Sequence, residues 1–203
     1  MDAVLRPGAI HVVYPREKST TKGKDAGCMM QAMQNTGDIV SIRPVTEADA
    51  ENWIDLVNAL ADYEKLDRPT TEAVERLKAH ALAAVPKFTA WLAWFDDRPV
   101  GYCVFFETYS TFLAKPTLYL EDLFVRPDFR GAGIGRSLWN ALEREVLLRD
   151  CGRMEWTCLH WNMLGINFYE KRGACNLTDE WRTYRLVEEQ IRERQGGRDI
   201  SPC

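Results

Sequence analysis

The run Leu118-Tyr-Leu-Glu121-Asp122-Leu123-Phe124-Val125-Arg-Pro127-Asp-Phe-Arg130-Gly131-Ala132-Gly133-Ile134-Gly135-Arg136-Ser137 decides how this chain folds. An apolar stretch carrying two adjacent carboxylates stops at Pro127. An arginine and three closely spaced glycines follow, and then an amphipathic helix begins. Strand, glycine loop and helix N-terminus form the arrangement by which a backbone grips a diphosphate.

Downstream, Leu138, Ala141, Leu142 and Val146 keep helical spacing to about Asp150, Met154–Leu159 reads as a strand, and Leu164–Lys171 as a helix stopped at Gly173. Trp181–Val187 reads as a last strand before a charged C-terminal helix. Upstream, Ile39–Arg43 is a short strand, and Thr46 with Asp49 opens a helix whose apolar stripe is Trp53, Leu56, Val57 and Leu60. A second helix covers Thr71–Leu82. Strands Phe88–Phe95 and Val100–Tyr109 are joined by a hairpin turn at Asp96-Asp-Arg-Pro. The order β-α-α-β-β-β-α-β-α-β describes a mixed α/β fold around one sheet.

With 203 residues, 46% apolar and 28% charged, the chain suits one domain with a real core. The net charge of −4 and the lack of a basic block argue against nucleic acid as a partner. No stretch approaches the roughly 20 apolar residues of a membrane span, so no membrane partner is expected. The six cysteines include no C-x-x-C pair and no histidine ladder, which argues against a metal site or a disulfide framework and for a cytoplasmic protein. Residues 1–38 mix Gly, Lys, Ser and Thr without periodicity and read as a disordered N-terminal extension; 39–195 is the folded domain and 196–203 a flexible tail.

The glycine loop fails the dinucleotide fingerprint, because Arg136 stands where the third glycine belongs, and it fails the P-loop pattern for want of a lysine. What remains is R-x-x-G-x-G opening a helix: glycines let successive N–H groups converge on one anion, and Arg130 and Arg136 bring charge to the rim. The same glycines also suit a tight β–α turn needed only for packing.

R-x-x-G-x-G after a strand and a Pro-Asp-Phe turn resembles the acetyl-CoA signature of the GNAT N-acetyltransferases, and the likeness runs from about Ile39 to Val187. It implies a mostly antiparallel sheet with helices on both faces. It implies that Arg130, Gly131, Ala132, Gly133, Ile134, Gly135 and Arg136 surround the CoA pyrophosphate, and that Leu123, Phe124 and Val125 run beside the pantetheine arm. Trp161-Asn162-Met-Leu-Gly-Ile-Asn-Phe-Tyr169-Glu-Lys-Arg-Gly-Ala174 resembles the second signature of the family, in which Asn162 would contact the CoA arm and Tyr169 would protonate the departing thiolate. The family's habit also implies a homodimer.

Carboxylates inside an apolar strand are expensive unless paired or useful. Strict alternation sets Glu121 on the face of Tyr119 and Leu123, and Asp122 on that of Leu120 and Phe124, so the two do not act together. Glu121 is the expected base, since an alkylamine with a pKa near roughly 10.4 must lose a proton before it can attack a thioester. Asp122 is expected to be structural.

Within the family, the likeness is to the diamine and thialysine acetyltransferases. Leu60-Ala-Asp-Tyr63-Glu64 resembles their L-A-x-Y-E, which lines the amine site, and Trp181 resembles an acceptor-site tryptophan. Thr108-Tyr-Ser110-Thr-Phe112 replaces their T-Y-D-P-W, and His160 stands where they carry an acid. Those losses weaken a long polycation as substrate, leaving a short diamine, a basic amino acid or an aromatic amine.

Overall fold

The computed structural model describes residues 10–12 and 40–195. They fall into two compact units that divide between Thr157 and Cys158. The first holds β1 (Ile10–Val12), β2 (Val40–Pro44), α1 (Ala50–Glu64), α2 (Thr71–Ala81), β3 (Thr89–Phe95), β4 (Arg98–Ser110), β5 (Lys115–Val125), α3 (Ile134–Leu148) and β6 (Arg153–Trp156). The second holds α4 (Met163–Glu170) and α5 (Glu188–Gln195).

The strands lie in one sheet in chain order, antiparallel from β1 to β5, with β6 parallel to β5. The expected order holds from β2 to α4. Two differences stand at the ends. Ile10–Val12, within the stretch expected to be disordered, pair with Val40–Ile42, and the β-branched Ile10, Val12 and Val13 are the strand signal there; the rest of residues 1–38, and the expected tail 196–203, lie outside the described residues. Trp181–Val187 is not a strand. Alternation there would put Trp181, Thr183, Arg185 and Val187 on one face and Arg182, Tyr184 and Leu186 on the other, so each face mixes arginine with apolar groups and neither can be buried. Trp181 and Tyr184 are accordingly 71% and 84% exposed.

Each face of the sheet carries a core. On one, Trp53, Ile54 and Leu56 of α1 pack against Ala90, Leu92, Tyr102, Val104 and Phe124, with Val74 and Leu77 of α2 alongside. On the other, α3 buries Ile134, Leu138, Trp139, Ala141 and Leu142. The β3–β4 turn has Asp96 and Asp97 at φ 45° and 59°, the two left-handed residues of a type I′ turn, which aspartate tolerates and whose twist matches the flanking strands. Thr46 does not cap the backbone of α1; its hydroxyl donates to the Asp49 carboxylate at 2.7 Å, and α1 follows a short 3-10 turn over 47–49. Gly101 holds β4 against β5 where a side chain has no room: a Cβ there would lie 2.7 Å from the Phe124 carbonyl oxygen.

Candidate active site

The alternation of β5 breaks at the carboxylates. Val104 pairs with Asp122 and Phe105 with Leu120, so Glu121 is an extra residue without a partner on β4. Such a bulge shifts the faces of one half of a strand relative to the other. Directly paired residues share a face, so Asp122 goes with Val104, on the side of Tyr102 and Phe106, while Leu120 goes with Phe105 on the α3 side. The expectation that Asp122 shares a face with Leu120 and is separated from Glu121 is therefore corrected. Both carboxylates line one hollow of about 420 Å³, whose other walls are Trp53, Val57, Leu77, Phe88, Val104 and Phe106.

Within it the two acids differ. Asp122 is half-buried and accepts a hydrogen bond of 3.1 Å from the Tyr102 hydroxyl. Burial pushes its pKa up to about 6; the Tyr102 hydrogen bond opposes the rise, and the charges of Glu121 and Glu64 add to it. Glu121 is exposed. Glu64, in the last turn of α1, is half-buried, and desolvation raises its carboxyl too. Burial and the nearby Asp122 hold the Tyr102 phenol well above its ordinary pKa, so it stays a donor. A carboxylate that titrates near neutrality beside an apolar hollow has the properties of a general base.

Of the acceptor-site residues expected on α1, Tyr63 is half-buried, its ring 6.4 Å from that of Phe124, which itself lies 6.3 Å from Tyr102. Lys65 ends the helix in the left-handed conformation at φ 59°, and Arg68 clasps Asp62 through two hydrogen bonds of 2.8 and 2.6 Å, turning the chain immediately after Tyr63 and Glu64.

The glycine loop leaves β5 through a 3-10 turn over 127–129. Gly131 and Gly133 take φ 81° and 84°, and a Cβ on either would meet nothing within 4 Å, so an open space lies over the loop. Gly133 is the N-cap of α3, whose first-turn amides have no partner along the helix. Ala132 and Arg136 are exposed. Arg130 is half-buried: its Nε donates to the Val125 carbonyl at 2.9 Å, and its guanidinium lies 4.6 Å from the Tyr63 ring centroid and 5.8 Å from that of Phe124. Phe124 is buried in the α1-side core, while Leu123 and Val125 are half-buried.

In the second unit, Asn162 caps α4, its Oδ1 accepting from the Gly165 amide at 3.1 Å. Tyr169 lies near the end of α4, half-buried, with its ring 5.5 Å from Phe168. Trp181 is exposed.

Sequence reading missed Asp122 as a partner of Glu121, because a bulge carries no signal of its own in an apolar strand. It also missed the hollow, whose walls read as ordinary core. One signal was available: two adjacent acids in a buried strand cannot both be satisfied by strict alternation.

Comparison with known proteins bears on the same segments. The profile of the Acetyltransferase (GNAT) family matches residues 53–174, which include most of α1 and all of the bulged strand, the glycine loop and α4. The chain is a GNAT acetyltransferase. Thialysine N-epsilon-acetyltransferase of Bos taurus is 31% identical over 167 residues, covering 77% of this chain and 98% of that protein. The Caenorhabditis elegans protein of the same name is 35% identical over 147 residues, 70% of this chain and 88% of its own. Among solved structures, an integron cassette protein from the mobile metagenome of V. cholerae superposes with a TM-score of 0.65 at 21% identity, over 77% of this chain and 97% of that one, a likeness of fold. As a GNAT enzyme the chain transfers an acetyl group; its described helices include none long and apolar enough to cross a membrane.

Proposed function

We propose that this acetyltransferase moves an acetyl group from acetyl-CoA to the primary amine of a small molecule, by direct attack within a ternary complex. The observation that carries the reading is the continuity of β5: one strand holds a half-buried carboxylate, hydrogen-bonded to Tyr102 beside an apolar hollow, and runs directly into an open glycine loop at a helix start. The loop suits the pyrophosphate of CoA, since Gly131 and Gly133 leave free the space that side chains would fill and the first-turn amides of α3 offer donors. Acetyl-CoA supplies, when bound, an acyl carbon activated as a thioester. Leu123, Phe124 and Val125 form the edge along which its arm lies, and Arg136 adds positive charge at the loop.

At the acceptor end, Glu121 and Asp122 receive the ammonium as a coupled pair. Asp122, whose carboxyl is raised by burial, takes the proton, and Glu121, facing solvent, passes it out; Glu64 and Tyr63 border the amine. Tyr169 holds the proton that the departing sulfur needs, a modest demand for a thiol with a pKa near roughly 8.5. Asn162 caps the helix that carries Tyr169 and, in this reading, borders the CoA arm, with Trp181 beside the acceptor. The enzyme acts in the cytoplasm as a homodimer. The test follows free thiol while the protein is incubated with acetyl-CoA and a panel of primary amines. Thiol release that depends on both substrates is expected; release with no amine at all overturns the reading.

A further inference from the structure

The hollow beside Glu121 and Asp122 has a composition that a polycation does not need. Among the described residues, six of the eight that line it, Trp53, Val57, Leu77, Phe88, Val104 and Phe106, are apolar, three of them aromatic, and the ionisable ones are the two adjacent carboxylates. At about 420 Å³ it lies within the range of small-molecule sites, roughly 300–1,000 Å³. A second ammonium reaching past the carboxylates would meet Leu77 and Phe88 with nothing to replace its water, which is strongly unfavourable. An apolar body would instead be sheltered there, gaining roughly 25 cal/mol for each Å² removed from water.

We infer that the acceptor is a primary amine with a single ammonium on an apolar body, arylalkyl in preference to diamine, and that Leu77 and Phe88 set this preference. The inference rests on the proposed acetyl transfer to an amine and specifies the amine. The ammonium sits at the Glu121–Asp122 end, and the apolar body lies against Phe106 and the packed pair Trp53 and Phe88, whose ring centroids are 6.0 Å apart. Glu64 raises the anionic charge felt at Asp122 but is not part of the wall, so it strengthens the hold on that one cation without offering a second place inside the hollow.

The test compares 2-phenylethylamine with 1,5-diaminopentane on the full chain, by thiol release with acetyl-CoA and, separately, by calorimetric binding. The expected kcat/KM favours 2-phenylethylamine by at least about tenfold, with a matching order of affinities. Leu77→Asp places an acid in the far wall and moves the ratio about tenfold toward the diamine. Phe88→Leu trims an aromatic wall and weakens 2-phenylethylamine several-fold more than it weakens the diamine. Melting curves confirm that both variants fold, and the unsubstituted chain gives a decisive ratio by itself. Equal or better use of 1,5-diaminopentane overturns the inference while leaving acetyl transfer intact. Absence of turnover with every amine overturns acetyl transfer to amines, and the calorimetric order then decides the nature of the hollow alone.

Discussion

The guanidinium of Arg130 lies over the ring of Tyr63, 4.6 Å from its centroid, so the first residue of the glycine-loop motif is in contact with the end of α1. The arginine is held there by the Val125 carbonyl, and Phe124 packs beneath both. Its position depends on the planar, stackable guanidinium rather than on charge alone.

Arg130→Lys keeps the charge and loses the stack and the Nε hydrogen bond. Each contact is worth about 1 kcal/mol, so the melting midpoint should fall by roughly 3–8 °C. The KM for the amine should rise several-fold while CoA affinity changes less than twofold. A selective loss of CoA binding would return Arg130 to the pyrophosphate.

The rate should rise with pH through an acid limb near 6, where Asp122 loses its proton. An ordinary carboxylate would put that limb near roughly 4. Asp122→Asn should lower kcat/KM by about 100-fold at pH 7 and remove the limb. The sign for stability is opposite to that of a paired acid. The folded pKa lies above the unfolded one, so the folded chain binds more protons between about 4 and 6, and this group's contribution falls as pH rises across that window. Asp122→Asn should flatten that slope in urea titrations at several pH values.

Tyr102→Phe removes the hydrogen bond that restrains the rise in the Asp122 pKa. The acid limb should move to higher pH, with a several-fold loss of rate at pH 6 and a smaller one at pH 8. An unmoved limb would show that Asp122 is not the titrating group.

Gly133→Val forces a branched side chain to φ 84°. The strain costs about 1–3 kcal/mol, and the new side chain fills the space assigned to pyrophosphate. CoA affinity, measured by calorimetry, should fall at least about tenfold with the amine KM little altered.

Tyr169→Phe should lower kcat about tenfold to 100-fold and leave CoA binding within twofold of the starting value. Unchanged kcat would remove Tyr169 as the acid.

The sequence was most legible where local chemistry and packing agree. The amphipathic stripe of α1, the hairpin at Asp96-Asp97, the strand that becomes β5 and the glycine-opened α3 all lie within a few residues of their expected bounds. Reading failed where the outcome depends on a neighbour. The strand-prone Ile10 and Val12 of β1 sit in an otherwise polar stretch and pair with β2, and Trp181–Val187 has strand-forming residues but no face that could be buried. Arg130 opens the glycine-loop motif, yet its guanidinium lies over Tyr63, a residue far earlier in the chain that no local pattern points to. Asp122 and Glu121 were both singled out, but their common face follows from a register shift that no residue type announces.

That register shift also makes chain length, and not only chemistry, part of the site. Substituting Glu121 alters one side chain, whereas deleting it would close the bulge into an unbroken ladder in which Leu120 still faces Phe105 and Asp122 still faces Val104. The deletion would leave both faces of the sheet as they are and remove only the extra residue that puts a second carboxylate beside Asp122. A chain lacking Glu121 should therefore fold and lose rate, whereas a deletion elsewhere in the strand would turn one half of it over.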